Sequence, residues 1–312
     1  MADEIYYNTL SDLILAATLR LEIELLLADR ASFRQAGNPY LVYLGDIANS
    51  QSSTIKQGYA GLDGYDSMGA VAEGASVANT PLTDGSQTVS VARQALMYSE
   101  GDLANMVLPN GSVNVEQLAL SMALSAEMRF TAMICQVIDD FAGNTAGTSG
   151  SDFSFIDFQS GIYLLERAPV PTAELVSLLA PIQVTDLQTD ITGQAGVVQW
   201  MQATQDMIQA KGAGLNGRLL GVDIFKSTKV VTDGGDRKGG IWHRGAVLYA
   251  EGTPKPIRGA SDVIYPGGTK LMVEFKRTAE AALTSIVGNY YCGVAKSTPN
   301  DLYGCTFTSS AT

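Results

Sequence analysis

Two stretches in the first half of the chain carry apolar residues at helical spacing. From Leu10 to Leu25 they recur at every third or fourth position, which predicts a helix that ends near Arg30. The same period runs from Val115 to about Asp140 and predicts a second helix, on the order of 40 Å long at 1.5 Å per residue. A helix of that length can form the backbone of an elongated domain.

The segment between these helices has a different pattern. Residues 31–47 predict an extended arm with a short strand at Tyr40–Leu44. Residues 49–97 are rich in glycine and poor in large aliphatic side chains, so they cannot form a compact core. Alternation at Val89–Ala95 predicts one strand of a long hairpin, with Met68–Ala78 as its partner; a flexible glycine-rich loop is the alternative. Because an isolated hairpin is marginal in water, its support is expected to come from another molecule.

The second half mixes helices and strands. A Gly-, Ser- and Thr-rich linker at 143–152 marks a domain crossing. A strand is predicted to end at Pro181, and Thr185 with Gln188 predicts a capping box. The pattern predicts helices over 161–167, 185–191 and 197–211, and strands over 175–180, 218–225, 241–250 and 270–275. The fold class is therefore α+β.

Composition excludes several classes of protein. The 312 residues are 46% hydrophobic, which is enough for a packed core and excludes overall disorder. A formal charge of −12 means that counterion release cannot drive strong nucleic-acid binding. One histidine and three dispersed cysteines leave little material for a metal site and favour a reduced setting. No segment predicts secretion or a membrane span.

Catalytic motifs are weak or missing. The sequence has no GxGxxG or Walker A motif, and the SxxK match at Ser53–Lys56 lacks the companion boxes of a serine hydrolase. His243 lies on a predicted strand, where a lone histidine is more often structural or part of an interface. Asp139 and Asp140 end the long helix, where acidic groups oppose the helix dipole and indicate basic groups nearby. We expect no catalytic residue, no cofactor and no metal site.

Charge is unevenly distributed along the chain. Residues 1–142 carry 6 basic and 17 acidic side chains, a balance of −11, whereas residues 211–277 carry 12 basic and 6 acidic ones, a balance of +6. A chain of this kind can attract copies of itself if both regions are exposed. Ordinary solvated surfaces are the alternative explanation.

The order of these elements resembles a known family. Arm, glycine-rich projection, long helix, inserted α+β domain and terminal strands together are similar to the major capsid protein of tailed bacteriophages, with its HK97-like fold. The stretches that carry the resemblance are Val71–Gly74, Glu174–Ile191, Gly217–Val222 and Gly245–Ala250. Their shared order along the whole chain makes the resemblance specific.

The resemblance implies a division into domains. Residues 1–48 would form an N-terminal arm, 49–100 an extended E-loop, 101–142 with 270–312 a peripheral P-domain that contains the long helix, and 143–269 an inserted axial A-domain. It also implies hexamers and pentamers that close into an icosahedral head around double-stranded DNA, assembled in the host cytoplasm, without sequence-specific DNA binding. Portal, scaffold and decoration proteins are partners that the family allows. Covalent crosslinking is not expected, since Lys56 is the single lysine of the projecting loop.

The charge split predicts which residues join the copies. We expect acidic groups of the arm and loop, among them Glu73 and Asp84, to contact basic groups of neighbours, namely Arg218, Arg237, Lys238 and Arg244. Three alternatives remain: an encapsulin-like nanocompartment shell, an enzyme built on the α+β half, and a tail or decoration protein. A neighbouring gene for a cargo enzyme, rather than for portal and terminase, would favour the encapsulin.

Overall fold

The structure is a computed structural model, and it describes residues 33, 40–49, 52–60, 68–77, 79, 84–101, 115–141, 143–167, 174–193, 200–211, 214–254, 263–264, 270–278, 282–297 and 303–311. The predicted helix at 10–30 lies outside these residues. Four helices are described: α1 (Val115–Asp139), α2 (Phe155–Arg167), α3 (Pro181–Gly193) and α4 (Gln205–Lys211). The strands are β1 (Val42–Asp46), β2 (Thr54–Ala60), β3 (Asp84–Ser90), β4 (Ala92–Gly101), β5 (Thr145–Ala146), β6 (Leu175–Leu179), β7 (Met201–Gln202), β8 (Leu215–Leu219), β9 (Val222–Lys226), β10 (Val231–Asp233), β11 (Asp236–His243), β12 (Val247–Gly252), β13 (Val263–Ile264), β14 (Leu271–Thr278), β15 (Leu283–Lys296) and β16 (Gly304–Ser310).

A six-stranded sheet is organised around the long strand β15. Along one edge β15 pairs with β4. Along the other edge the first part of β15 pairs with β14 and its last part pairs with β12. The strand β1 adds to β12 in parallel, with Val42 opposite Leu248, and β13 adds to β14. This sheet therefore joins segments that lie 200 residues apart in the sequence.

An eight-stranded sheet contains the remaining strands apart from β2 and β3. Its order is β5-β16-β11-β6-β9-β8-β7, with β10 paired to β11. The five residues of β6 are all buried, as expected for a central strand covered on both faces. The helices α2 and α3 pack on this sheet through a cluster that includes Phe158, Leu187, Ile241 and Phe307.

The long helix α1 packs against both sheets. Its buried residues follow the helical period, from Leu118 and Met122 through Phe130 to Ile138. They share one hydrophobic cluster with Trp242 of the second sheet and with residues of β14 and β15 in the first. The prediction of this helix is confirmed, and the basic groups expected at its acidic end are present: Lys296 donates to the carbonyl of Asp140 at 3.0 Å.

The hairpin prediction is wrong in its strand pairing. β3 pairs with β2, Thr54 opposite Ser90 and Ala60 opposite Asp84, so the partner strand comes from 54–60 and not from 68–78. Residues 68–77 form no strand, and β4 pairs with β15 in the six-stranded sheet. Strand β2 does not stand out in the sequence pattern, because most of its side chains are polar and little of its surface is buried.

Several element boundaries also differ from the predictions. Helix α2 begins at Phe155, where Ser154 and Asp157 form a capping box, and α3 begins at Pro181 because proline fits the first turn of a helix. Thr185 therefore lies inside α3, where its hydroxyl donates to the carbonyl of Pro181. The single strand predicted over 218–225 is a hairpin of β8 and β9, the one over 241–250 is split into β11 and β12, and the helix over 197–211 is limited among described residues to α4.

Sheet membership crosses the predicted domain boundaries. β12 falls within the predicted A-domain but belongs to the six-stranded sheet, and β16 falls within the predicted P-domain but lies between β5 and β11 of the eight-stranded sheet. The arm strand β1 and the loop strand β4 also join the six-stranded sheet. The division into arm, loop, P-domain and A-domain stays a prediction.

Candidate interaction surfaces

The described residues offer little for catalysis. They contain no group of His, Cys, Asp and Glu side chains that could hold a metal ion. The three cysteines are buried, and burial raises the pKa of the Cys135 and Cys305 thiols to about 12, so neither forms a thiolate nucleophile near neutral pH. No helix in this described part is long and apolar enough to cross a membrane.

His243 has a structural role at the end of β11. Its Nδ1 accepts a hydrogen bond from the backbone N–H of Gly245 at 3.2 Å, and its ring meets Tyr303 edge to face at 5.7 Å. Burial lowers the pKa of His243, and nearby Arg244 lowers it further while Glu174 raises it. The neutral imidazole therefore caps a turn, as the sequence favours.

The hairpin of β2 and β3, termed here the projecting hairpin, packs on the six-stranded sheet at its base. Val89 is 0% exposed and packs with Leu248 and Ala250 of β12, while the backbone N–H of Val91 donates to the carbonyl of Ser53 at 2.8 Å. Farther along, residues 56–58 are exposed. The projecting hairpin thus has a buried base on the six-stranded sheet, and the middle of β2 is exposed to solvent.

Beyond these strands lies an exposed segment, residues 68–77, termed here the tip loop. Every residue of the tip loop is exposed. Met68 is fully exposed, Val71 is 51% exposed and Val77 is 77% exposed. Glu73 and Gly74 form its turn, in which the N–H of Ala75 donates to the carbonyl of Ala72 at 3.0 Å. Exposed apolar side chains beside a carboxylate, with little packing inside the subunit, are typical of a segment that binds another molecule.

A groove lies between α1 and the six-stranded sheet, with a volume of about 440 Å³. Its floor is apolar, from Met122, Leu271 and Tyr290. Two cationic side chains, Arg129 and Lys229, line it, and Arg129 is oriented by donating from Nε to the Oε1 of Gln94 at 2.8 Å. The groove therefore combines apolar surface with positive charge, the complement of the tip loop.

The structure places the predicted contact residues at separate points. Glu73 lies at the turn of the tip loop, and Asp84 opens β3, although its side chain lies outside the described residues. Among the basic residues, Arg244 is exposed in a 3₁₀ turn after β11 and Arg218 is exposed on β8.

Two of these basic residues are engaged within the subunit. Arg237 is partly buried and donates from Nη1 to the Oγ1 of Thr232 at 2.5 Å, and Lys238 donates to the Oγ1 of Thr308 at 3.3 Å. Lys238 also lies near the end of α1, where burial raises the pKa of Asp139 and Lys238 counteracts that rise. Arg237 and Lys238 are thus less available to a neighbour than the charge balance alone suggests.

Strand β1, which falls within the predicted arm, is secured by an ion pair between residues 224 positions apart in the sequence. Asp46 accepts from Lys270 Nζ at 2.7 Å and from the backbone N–H groups of Ala48 and Thr253 at 2.8 and 3.0 Å. Burial alone would raise the pKa of Asp46, but Lys270 and these hydrogen bonds outweigh it and hold that pKa well below its usual range. The same pairing raises the pKa of Lys270, although its burial opposes the rise.

Comparisons with solved structures identify the fold. The chain is 12% identical to the capsid of Ralstonia phage GP4, with a TM-score of 0.62 over 88% of this chain and 87% of that one. It is 11% identical to a protein of the head of Helicobacter pylori bacteriophage KHP40, with a TM-score of 0.60 over 91% of both chains. It is also similar to the SrpI encapsulin of Synechococcus elongatus PCC 7942, at 14% identity and a TM-score of 0.58 over 87% and 86%.

Neither protein-family models nor curated proteins yield a match to the sequence. The likeness is therefore one of fold: the chain has the HK97-like α+β fold found in bacteriophage capsids, as its order of elements predicts.

Proposed function

We propose that this chain is the major structural protein of a tailed-phage head, in which hexamers and pentamers close an icosahedral shell around double-stranded DNA. The observation that carries the proposal is the likeness in fold to phage capsid structures over 88% and 91% of this chain, joined to an exposed tip loop without a core of its own. The net charge of −12 fits a container, because weak contact with the DNA backbone permits both packing and release. Such a protein would reside in the virion and act without catalysis.

Assembly would rest on many modest contacts. We propose that the tip loop of one copy lies in the groove of a neighbour, with Met68 and Val71 on the apolar floor and Glu73 facing Arg129 and Lys229. Closure of a shell adds such contacts together, so that no single one needs to be strong. The predicted contacts through Arg218 and Arg244 remain part of this proposal, since both side chains are exposed.

The first test is electron microscopy of the purified full chain. Angular shells of uniform diameter would support the proposal, and a monodisperse monomer at high concentration would contradict it. The encapsulin alternative shares the fold, and no observation favours it over a phage head. Particles purified from the cells that make this chain, with an enzyme inside instead of DNA, would favour the encapsulin.

The second test removes the tip loop while keeping the projecting hairpin. Because Ala60 and Asp84 are paired, residues 61–83 can be replaced with Asn-Gly, a turn that closes two antiparallel strands. We expect a folded subunit that forms no shells. A matched control exchanges charges: Glu73→Lys and Lys229→Glu should each weaken assembly, and the double variant should recover it. Normal shells from the shortened chain would contradict the role of the tip loop.

A further inference from the structure

A second exposed surface lies at the far corner of the eight-stranded sheet, where β7 forms the edge of the described strands. Met201 of β7 is paired with Arg218 of β8, so both side chains lie on one face, and the β8–β9 turn brings Leu220 to the same corner. Met201 is 56% exposed and Leu220 is 50% exposed. These three residues, Met201, Arg218 and Leu220, are termed the corner patch.

The backbone of Leu220 is in a conformation that disfavours leucine. Leu219 and Val222 are paired, so Leu220 and Gly221 form a two-residue hairpin turn, with φ angles of +48° and +84°. Positive φ at both positions is typical of a type I′ turn, where Asn-Gly is preferred and a large aliphatic residue is strained. The substitution Leu220→Asn would therefore make the subunit more stable, so the stability of the subunit alone does not explain the leucine.

The same turn is held rigid from within. Arg218 donates from Nε and Nη2 to the carbonyl of Gly221, both at 3.0 Å, and its Nε lies 3.7 Å from Oδ1 of Asp223. Asp223 is itself fixed, because it accepts from the hydroxyl of Tyr40 and from Nζ of Lys211, each at 2.5 Å. Arg218 keeps further N–H donors on a side chain that is 44% exposed. The corner patch thus presents a pre-organised apolar tip beside a guanidinium that can still donate hydrogen bonds to a carboxylate.

We propose that the corner patch is a docking surface for a second copy of this chain, with Leu220 as its anchor. The inference rests on the proposed function and names a contact within it. Charge complementarity identifies the occupant: residues 1–142 of each copy carry a balance of −11, whereas Arg218 belongs to the tract 211–277 with a balance of +6, so the acidic part of a neighbouring copy offers carboxylates to Arg218. Burial of Leu220 and Met201 against that neighbour offsets the backbone strain, and a ring of copies repeats the contact at every subunit.

The test is a variant that separates folding from assembly. Leu220→Asn relieves the strain and removes the anchor, so the melting temperature of the unassembled subunit should rise by about 2 °C. The protein concentration needed to form shells, measured by light scattering, should also rise, by about tenfold or more. A loss of stability, or assembly at the parent concentration, would overturn the proposal.

Two further variants serve as controls. Leu220→Met keeps both the strain and an apolar tip, so its assembly should stay within about threefold of the parent. Met201→Ser removes apolar surface without touching the turn, so it should weaken assembly and leave the melting temperature unchanged. If the parent chain itself forms no shells, the proposed function fails; if the parent assembles and Leu220→Asn assembles equally well, only this inference fails.

Discussion

The base of the projecting hairpin depends on a close contact at Gly293 of β15. Here the chain passes from β3 to β4, and its backbone at Ser90 and Val91 crosses directly over β15. A Cβ atom at position 293 would lie 2.1 Å from the carbonyl oxygen of Ser90 and 2.8 Å from its carbonyl carbon. Both are backbone atoms, which cannot rotate away as a flexible side chain can.

The substitution Gly293→Ala should therefore be costly. Favourable contacts between carbon atoms lie near 3.5 Å, so the crossing segment would have to move by roughly 1 Å. Overpacking of this kind costs about 1–3 kcal/mol of unfolding free energy, and we expect about 2–3 kcal/mol because backbone atoms, not a flexible side chain, must move. The movement would also open the contact between Val89 and Leu248 that fixes the direction of the projecting hairpin.

Urea denaturation of the unassembled subunit, followed by circular dichroism, measures this cost. Gly101→Ala is the matched control, because it lies in the same sheet and its Cβ would meet only the Cδ2 of Leu283, at 3.6 Å. We expect the control to stay within about 0.5 kcal/mol of the parent. An equally small change for Gly293→Ala would refute the reasoning, since the hairpin base could then shift freely.

Three further predictions concern the core, the arm and the thiols. Phe141→Ala should lower the unfolding free energy by about 3–5 kcal/mol in the same urea titration, since this ring is completely buried after α1; a loss under 1 kcal/mol would contradict the packing. Because folding lowers the pKa of Asp46, its carboxylate contributes fully to stability above about pH 4, where aspartate titrates in the unfolded chain. This contribution is lost as the pH falls from there towards the lower folded pKa. Melting temperatures from pH 6 to 2.5 should show this loss, and Asp46→Asn, already without that charge, should show a flatter profile; parallel profiles would contradict it. Cys135, Cys292 and Cys305 should react with a thiol reagent at pH 8 only after unfolding, and rapid labelling of the native subunit would disagree with their burial.

The long helix could be predicted because its signal is local. Residues from Leu118 to Ile138 repeat at a helical period, and the buried face of α1 follows that period closely. The strand β2 could not be predicted in the same way, because its residues Thr54–Ala60 are mostly polar and gain their order by pairing with β3. Sheet pairing is decided by distant partners, which a single window of sequence does not contain.

The contact residues show a similar division. Charge balance selected Arg218, Arg237, Lys238 and Arg244 as contact residues. It could not reveal that Arg237 and Lys238 have partners across the strands β10 and β16, whereas Arg218 and Arg244 are exposed. Nor could it reveal the turn at Leu220, since residues 218–225 are predicted as one strand and the reversal depends on a backbone angle. The pair of Asp46 and Lys270 spans 224 residues and was equally invisible.

The position of β16 has a consequence for how the protein is made. β16 lies between β5 and β11, and β11 is hydrogen-bonded along most of its length to it. A ribosome completes Gly304–Ser310 after every other described strand, so a nascent chain exposes an unpaired edge of β11 until then. Because this pairing joins residues far apart in the sequence, we expect the sheet to close slowly, and only after synthesis has passed residue 310. Such a delay keeps unfinished chains from presenting a complete subunit, so that truncated products would be excluded from a growing assembly.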